Sequence, residues 1–195
     1  MNKISPIFFL PFAIFLLSCS KPKGEDYIPL SVGSMHRYVV ERRGYRVDIG
    51  VMTVWVKSIE IINGKEYYKI ITIYSGIPGA QTEVSYKRKT NEGIFALDLN
   101  DGHEYLEVKF PLEVNTSWTS KTPRGDIHYH VDGIWTLGRI DTIYENCIRI
   151  SYTGSYDKTP IEGYFYLAKG IGMVSMATKM QGFIFIYYDL VEYKR

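Results

Sequence analysis

The sequence predicts an all-β fold, an antiparallel and strongly twisted sheet arranged as a half-barrel, a barrel or a sandwich, preceded by a cleaved signal helix. Three observations carry this reading. Tyrosine supplies 17 of 195 residues and β-branched side chains accompany it throughout; both types suit a pleated, half-buried surface. No long stretch of the chain after the first 27 residues combines a sustained 3.6-residue period with helix caps. Turn signals recur instead at strand-length intervals: Arg43-Gly44, Asn63-Gly64, Asn91-Glu92-Gly93, Asn100-Asp101-Gly102, Arg124-Gly125 and Gln181-Gly182.

The amino terminus reads differently. Lys3 supplies one positive side chain, and no charge follows from Ile4 to Leu17. A basic head ahead of a short apolar core is the build of an export signal. A membrane-spanning helix needs about 20 apolar residues; this run is shorter, and Pro6 and Pro11 interrupt it. Leu16-Leu17-Ser18-Cys19 resembles the lipobox of bacterial lipoproteins, with Leu at −3 and a small residue at −1; Leu17 is larger than the usual −2 residue. The resemblance implies that a diacylglyceryl group is transferred to Cys19, that the chain is cut after Ser18, and that the new amino terminus is acylated. Residues 1–18 are thus expected to be a lipoprotein signal peptide. Residues 19–27 form the lipidated terminus and a tether, and residues 28–195 a single β-rich domain. Several acyl chains anchor stably, at about 0.8 kcal/mol per buried methylene. Ser20 in place of an acidic residue resembles the outer-membrane default of enteric bacteria. The expected location is therefore the cell envelope, lipid-anchored, at the outer membrane facing the periplasm.

Within the domain, Asn63-Gly64 marks the clearest hairpin, because both residues tolerate the positive φ of a type I′ turn. A two-residue loop pairs Ile62 with Lys65. Carried upstream without interruption, that register sets Ile59 opposite Tyr68 and Lys57 opposite Ile70. It also sets Val56 opposite Ile71, Trp55 opposite Thr72, and Val54 opposite Ile73, with the valine–isoleucine pairs facing the core. The segment Phe183 to Tyr188 is apolar on both faces, so it is expected as a central strand. Ile28-Pro29-Leu30-Ser31-Val32-Gly33 and Phe110-Pro111-Leu112-Glu113-Val114-Asn115 look alike: proline fixes φ, and Gly or Asn accepts a left-handed turn. The remaining halves do not align by inspection, so the two segments are read as one corner solved twice rather than as a duplication.

Composition excludes several classes. Net charge is +2 and the charges are interspersed, which leaves no electrostatic footprint for nucleic acid. Lys87-Arg88-Lys89 reads as a solvated strand face or edge guard. With Cys19 lipidated, Cys147 has no partner and is expected as a buried or half-buried thiol. Gly170-Ile171-Gly172 precedes a strand rather than a helix, so it reads as a tight turn and not a phosphate loop. His128 and His130 lie two apart and share a strand face with Asp126, with His103 or His36 as possible third partners; they are the weak metal candidates of the chain. No Gly-x-Ser-x-Gly elbow occurs, and Gly154-Ser155 is placed in a loop. The expectation is a protein that is not an enzyme and has no cofactor.

The chain also resembles uncharacterised bacterial lipoproteins that carry Pro-Leu-x-x-Gly-x-x-Trp-x-Tyr after the tether. The matching residues are Pro29, Leu30, Gly33 and Tyr38, with His36 where Trp usually stands. Asn146-Cys147 before a late strand and Gly170, Gly172 and Val174 in a Gly-x-Gly-x-Val pattern extend the likeness over most of the mature chain. That family brings no established activity. Three roles follow, in order of preference. The first is a non-enzymatic binding or structural role toward an envelope component, with the membrane itself as a partner through Cys19. The second is a module for a lipid or other hydrophobic ligand lined by the surplus aromatics; envelope lipid carriers pair a curved sheet with capping helices, which this chain lacks. The third is a hydrolase without a readable motif. Intact-mass measurement of the protein extracted from membranes should find residues 1–18 removed and fatty acyl mass on Cys19. The Cys19→Ala variant should take up no labelled palmitate.

Overall fold

The computed structural model describes residues 27–44, 47–76, 81–139, 141–180 and 184–195, so the expected signal peptide, Cys19 and the Gln181-Gly182 turn lie outside the described residues. No α-helix occurs among the described residues, and none of them forms a helix long and apolar enough to cross a membrane. Twelve strands follow in order: β1 (Met35–Arg43), β2 (Val47–Ile62), β3 (Lys65–Ser75), β4 (Thr82–Lys89), β5 (Gly93–Leu97), β6 (Glu104–Lys109), β7 (Ser117–Thr122), β8 (Gly125–Gly138), β9 (Ile143–Tyr156), β10 (Thr159–Ala168), β11 (Gly172–Met180) and β12 (Ile184–Lys194). They form one antiparallel sheet in the order β6-β5-β4-β3-β2-β1-β12-β11-β10-β9-β8-β7. The sheet curls into a nearly closed barrel, and β6 and β7 are its two edges. Of the forms the sequence allowed, the barrel is the one adopted.

The order is a repeat. Each half is a six-stranded meander, and β1 of the first half pairs with β12 at the end of the second. The two corner segments hold their halves with the same hydrogen bonds. Gly33 N–H donates to Val56 O, Val56 N–H to Ser34 O, and Ser34 N–H to Ser31 O. Asn115 N–H donates to Val131 O, Val131 N–H to Thr116 O, and Thr116 N–H to Glu113 O. Gly33 (φ 92°) and Asn115 (φ 69°) supply the left-handed residue at each corner. The registers agree as well: His36 pairs with Val54, and Trp118 with Tyr129. A bulge follows the corner valine in both halves, at Lys57 and at Asp132. The corners are therefore equivalent parts of a duplicated six-strand unit, which overturns their reading as one local solution used twice. Two halves can share topology and backbone bonds while their side chains diverge too far to align by eye.

The Asn63-Gly64 turn sits where expected, with φ of 52° and 76°, and Ile62 pairs with Lys65 and Ile59 with Tyr68. The register then departs from the expected one. The bulge absorbs Lys57, so Val56 faces Ile70, Trp55 faces Ile71 and Val54 faces Thr72. One extra residue exchanges the faces of a strand. Ile70 is accordingly buried, and Ile73 points outward at 42% exposure. The final strand is central, between β1 and β11. Its inward residues Ile186, Tyr188 and Leu190 pack with Tyr38, Val40 and Met52, and Phe185 stacks on Tyr187 outside.

Each long hairpin also covers a satellite cluster on the outer surface. Tyr67, Tyr86 and Leu97 lie under Ile62, while Cys147, Ala168 and Val174 pack with Leu137, Tyr144 and Tyr166. A carboxylate on the sixth strand of each half grips a cation next to its own hairpin. Asp189 pairs with Arg139 at 2.5 Å and Glu104 with Lys65 at 2.6 Å. Glu104 also accepts from the Tyr67 hydroxyl (2.9 Å) and from two nitrogens of Arg88 (2.6 and 2.9 Å). The Arg88 guanidinium holds the Glu104 carboxyl at about 2, against an ordinary 4.5. A depressed carboxyl pKa stabilises the fold above the unfolded value, and the gain is lost as pH falls through the folded one. The thermal midpoint should thus drop between pH 4.5 and pH 2. Glu104→Gln should cost about 1–3 kcal/mol at pH 7 and flatten that acid limb, as read by thermal melts across the pH range.

Candidate functional site

A barrel of this width needs something across its ends. At one end the two corner segments meet and plug it. Tyr27, Ile28 and Leu30 from the first corner join Phe110 and Leu112 from the second in the largest apolar cluster, with Trp118, Val131, Ile148, Ile150 and Leu167. Polar bonds pin this plug. The Tyr27 hydroxyl donates to Asn146 O at 3.1 Å, and Lys89 Nζ donates to Ile28 O at 3.2 Å.

Above the plug lies a cavity of about 540 Å³, within the ~300–1,000 Å³ range of ligand pockets. Its floor is Ile28, Pro29 and Leu30. It runs between the two halves to Tyr156, Ile161 and Met180 near the opposite strand ends. Met173, Met176, Phe165 and Ile186 give it apolar walls. Aromatic side chains line it as well. Tyr129 stacks on Trp118 with centroids 5.0 Å apart and meets Tyr152 and Phe165 at 5.8 and 6.4 Å. Gly163 lies between Tyr152 and Thr178 in the sheet. A Cβ there would sit 2.6 Å from the Tyr152 hydroxyl oxygen; without one, Tyr152 crosses the strand and bonds Thr178 Oγ1 at 2.5 Å.

Burial sets the protonation of this interior. It pushes the Tyr38, Tyr129 and Tyr188 hydroxyls upward, so all three stay neutral. Tyr38 donates to Met173 O at 2.9 Å. His36, in place of the Trp of the resembling lipoproteins, points into the lumen. Its Nε2 lies 2.6 Å from Ile171 O, and its ring packs against Tyr193. Burial lowers its pKa, partly offset by that backbone bond, so the imidazole is neutral with the proton on Nε2. Trp118 is its counterpart in the second half, and its Nε1–H donates to Glu107 O at 3.2 Å. Among the described lining residues an ion pair faces the lumen, Lys87 Nζ to Glu107 Oε2 at 2.7 Å.

That pair corrects the reading of Lys87-Arg88-Lys89 as a solvated face or edge guard. Strand β4 is interior to the sheet, and the three side chains serve three sites. Lys87 faces Glu107 in the lumen, Arg88 grips Glu104 outside, and Lys89 holds the plug. Gly154 and Ser155 are also not in a loop. They lie inside β9, where a Cβ on Gly154 would meet Asp126 O at 2.2 Å. The Asp157-Lys158 turn that follows uses two non-glycine residues at positive φ, which no turn signal in the sequence flags. Gly170-Ile171-Gly172 is the expected turn into β11.

His128 and His130 share the outer face of β8. Each Nδ1 bonds a hydroxyl on β7, from Thr119 at 2.8 Å and Ser117 at 2.9 Å. His36, named as a possible third ligand, faces the lumen instead. Among the described residues no three His, Cys, Asp or Glu side chains gather to hold a metal. The buried Ser175 Oγ donates to Asp189 at 2.9 Å and accepts from Arg139, so it bridges that ion pair.

With this geometry in hand, the relatives can be placed. No protein-family model matches the sequence, and none of the curated proteins matches it. Two solved structures share the fold. One is a protein of YmcC-like fold from Bacteroides fragilis, inferred to be exported, with a TM-score of 0.56 at 11% identity. The other is a protein from Parabacteroides distasonis inferred to be a lipoprotein, with a TM-score of 0.50 at 12% identity. Each likeness covers 86% of this chain and 98% of the other. The chain is thus similar in fold to the YmcC-like proteins.

Cys147 is fully buried in its satellite cluster, as the sequence reading allowed, and burial pushes its thiol up. A raised, inaccessible thiol is a poor nucleophile. The native protein should give no reaction with a disulfide reagent at pH 8 over an hour or so, and full labelling of Cys147 once denaturant unfolds it.

Proposed function

We propose that this protein is a membrane-anchored envelope lipoprotein, not an enzyme, whose barrel binds an apolar small molecule. The observation that carries the reading is the lumen of about 540 Å³ between the plug and the far strand ends. Buried apolar volume in a β-barrel costs dispersion energy when nothing fills it. Natural cores close such voids, while binding proteins keep them. The absence of capping helices does not weigh against this, because the two corner segments close one end. The lipobox-like Leu16-Leu17-Ser18-Cys19 supports location in the envelope, and the exported and lipoprotein character inferred for the two fold relatives agrees with it. Tyr27, where the described residues begin, lies at the plugged end.

Every described strand and apolar cluster lies after residue 26, so a chain beginning at Ser20 retains the fold. Native mass spectrometry of that chain, purified without detergent, should show a co-purified apolar molecule or stoichiometric uptake of a fluorescent fatty probe. Met176→Trp, which fills the lumen, should remove at least about 90% of probe binding, a loss of ~1.4 kcal/mol or more, while Ile61→Ser, at an exposed position beside the Asn63-Gly64 turn, leaves it intact. Empty wild-type protein that takes up no probe would refute the reading.

A further inference from the structure

The lumen has a polar neighbour. A second cavity of about 610 Å³ lies where edge strands β6 and β7 face each other. It is flanked by Tyr105 and Glu107 on one edge and by Ser120 and Thr122 on the other. Ser85, Glu107, Tyr129 and Tyr156 line both cavities, so the two adjoin through the wall that these four residues form. The lumen has methionine, isoleucine and phenylalanine walls. The cleft instead presents carboxylates from Glu83, Asp98 and Glu107 among hydroxyls, with Arg124 as its one cation among the described lining residues.

We infer that lumen and cleft together hold one amphiphile: a single apolar chain in the lumen, and in the cleft a head group that donates hydrogen bonds and carries no negative charge. This deepens the lumen-binding proposal and rests on it. Size argues for a single chain. A lumen of about 540 Å³ accommodates on the order of 18 non-hydrogen atoms at the ~30 Å³ of a water-sized group, which matches one chain rather than two. Charge argues for the head. Lys87 is already paired with Glu107, and Arg124 stands near Asp157 at 3.8 Å and over the Tyr156 ring. Glu83 accepts from Gln81, and Asp98 from the amide and side chain of Asn100. Each carboxylate can accept about four hydrogen bonds, so acceptor capacity remains in the cleft. Burial raises the Tyr105 hydroxyl pKa; Glu107 and Asp98 add to the rise and Arg124 opposes it, in keeping with the excess of carboxylates over cations that line the cleft. An anionic head would enter against that excess; a hydroxyl or ammonium head would find acceptors.

Probes with one hexadecyl chain and different heads test this on the chain beginning at Ser20. Monopalmitoylglycerol and hexadecylamine, titrated by calorimetry and native mass spectrometry, should bind at least about tenfold more tightly than palmitate. The double variant Glu107→Gln, Asp98→Asn should narrow the preference for the amine over the acid to about parity. Glu83→Gln, exposed at the cleft rim, should narrow it in part without touching the lumen pair. Palmitate binding as tightly as the other two, or an amine preference unchanged in both variants, would overturn the head assignment while leaving chain binding in the lumen intact. Binding of hexadecane as strongly as of the headed probes would overturn it as well. Failure of every probe to bind would overturn this inference together with the lumen proposal.

Discussion

Twelve strands enclose more space than their own side chains can fill, and most of the molecule answers that constraint. Eight strands give an interior that side chains just fill; diameter then grows with strand number. This sheet has half as many strands again. Large side chains directed inward take up part of the excess, among them Tyr38, Tyr129, Tyr152, Tyr156, Tyr188 and Phe165. The corner segments take up more by folding across one end. What remains is the lumen. Tyr152 can reach across Gly163 to Thr178 because that glycine leaves room. Part of the aromatic surplus of the composition thus serves to fill that circumference.

The circumference itself comes from repeating one six-strand unit. A two-fold repeat would make two identical halves and two identical junctions, and the chain keeps neither. His36 and Trp118 occupy equivalent places but bond different carbonyls, those of Ile171 and Glu107. Glu104 and Asp189 each clamp a hairpin, yet one does so with Arg88 and Tyr67 and the other with Ser175. Backbone requirements at the corners survive this divergence, because a left-handed residue and a fixed φ are demanded by geometry alone. Side chains over a wide lumen are less constrained by one another than those of a dry core, so each half can change its inward face separately.

Much of the fold was legible in the sequence, and the misses have local causes. The β-class, the Asn63-Gly64 turn, the central place of the last strand and the corner geometry all follow from short-range chemistry. Val54 and Val56 face inward as read, but the β3 face was misassigned because a single bulge at Lys57 shifts the register, and nothing in Trp55-Val56-Lys57-Ser58 announces it. The duplication was hidden because it resides in hydrogen bonds and pairing rather than in residue identity. The basic run Lys87-Arg88-Lys89 was misread because a strand sends neighbours to opposite faces, and each face here has its own acidic partner. The apolar part of the candidate site was foreshadowed by tyrosine content. The polar cleft was not, since Glu83, Asp98, Glu107 and Thr122 are far apart in the chain and meet only when the sheet curls.

The open edge follows from strand lengths. At the closed junction β1, with nine residues, runs beside β12, with eleven, and every residue of β1 finds a partner. At the equivalent junction β6 and β7 have six residues each. Short strands that tilt in a barrel overlap over only part of their length, and at the corner end Trp118 bridges to Glu107 O. Toward the other end Ser120 and Thr122 face Tyr105 across the cleft instead of continuing a ladder. Short edges are also one way a sheet avoids pairing with other chains. The feature that leaves the barrel unclosed therefore also keeps its edges poor templates for aggregation, and it places the polar opening beside the lumen rather than at its end.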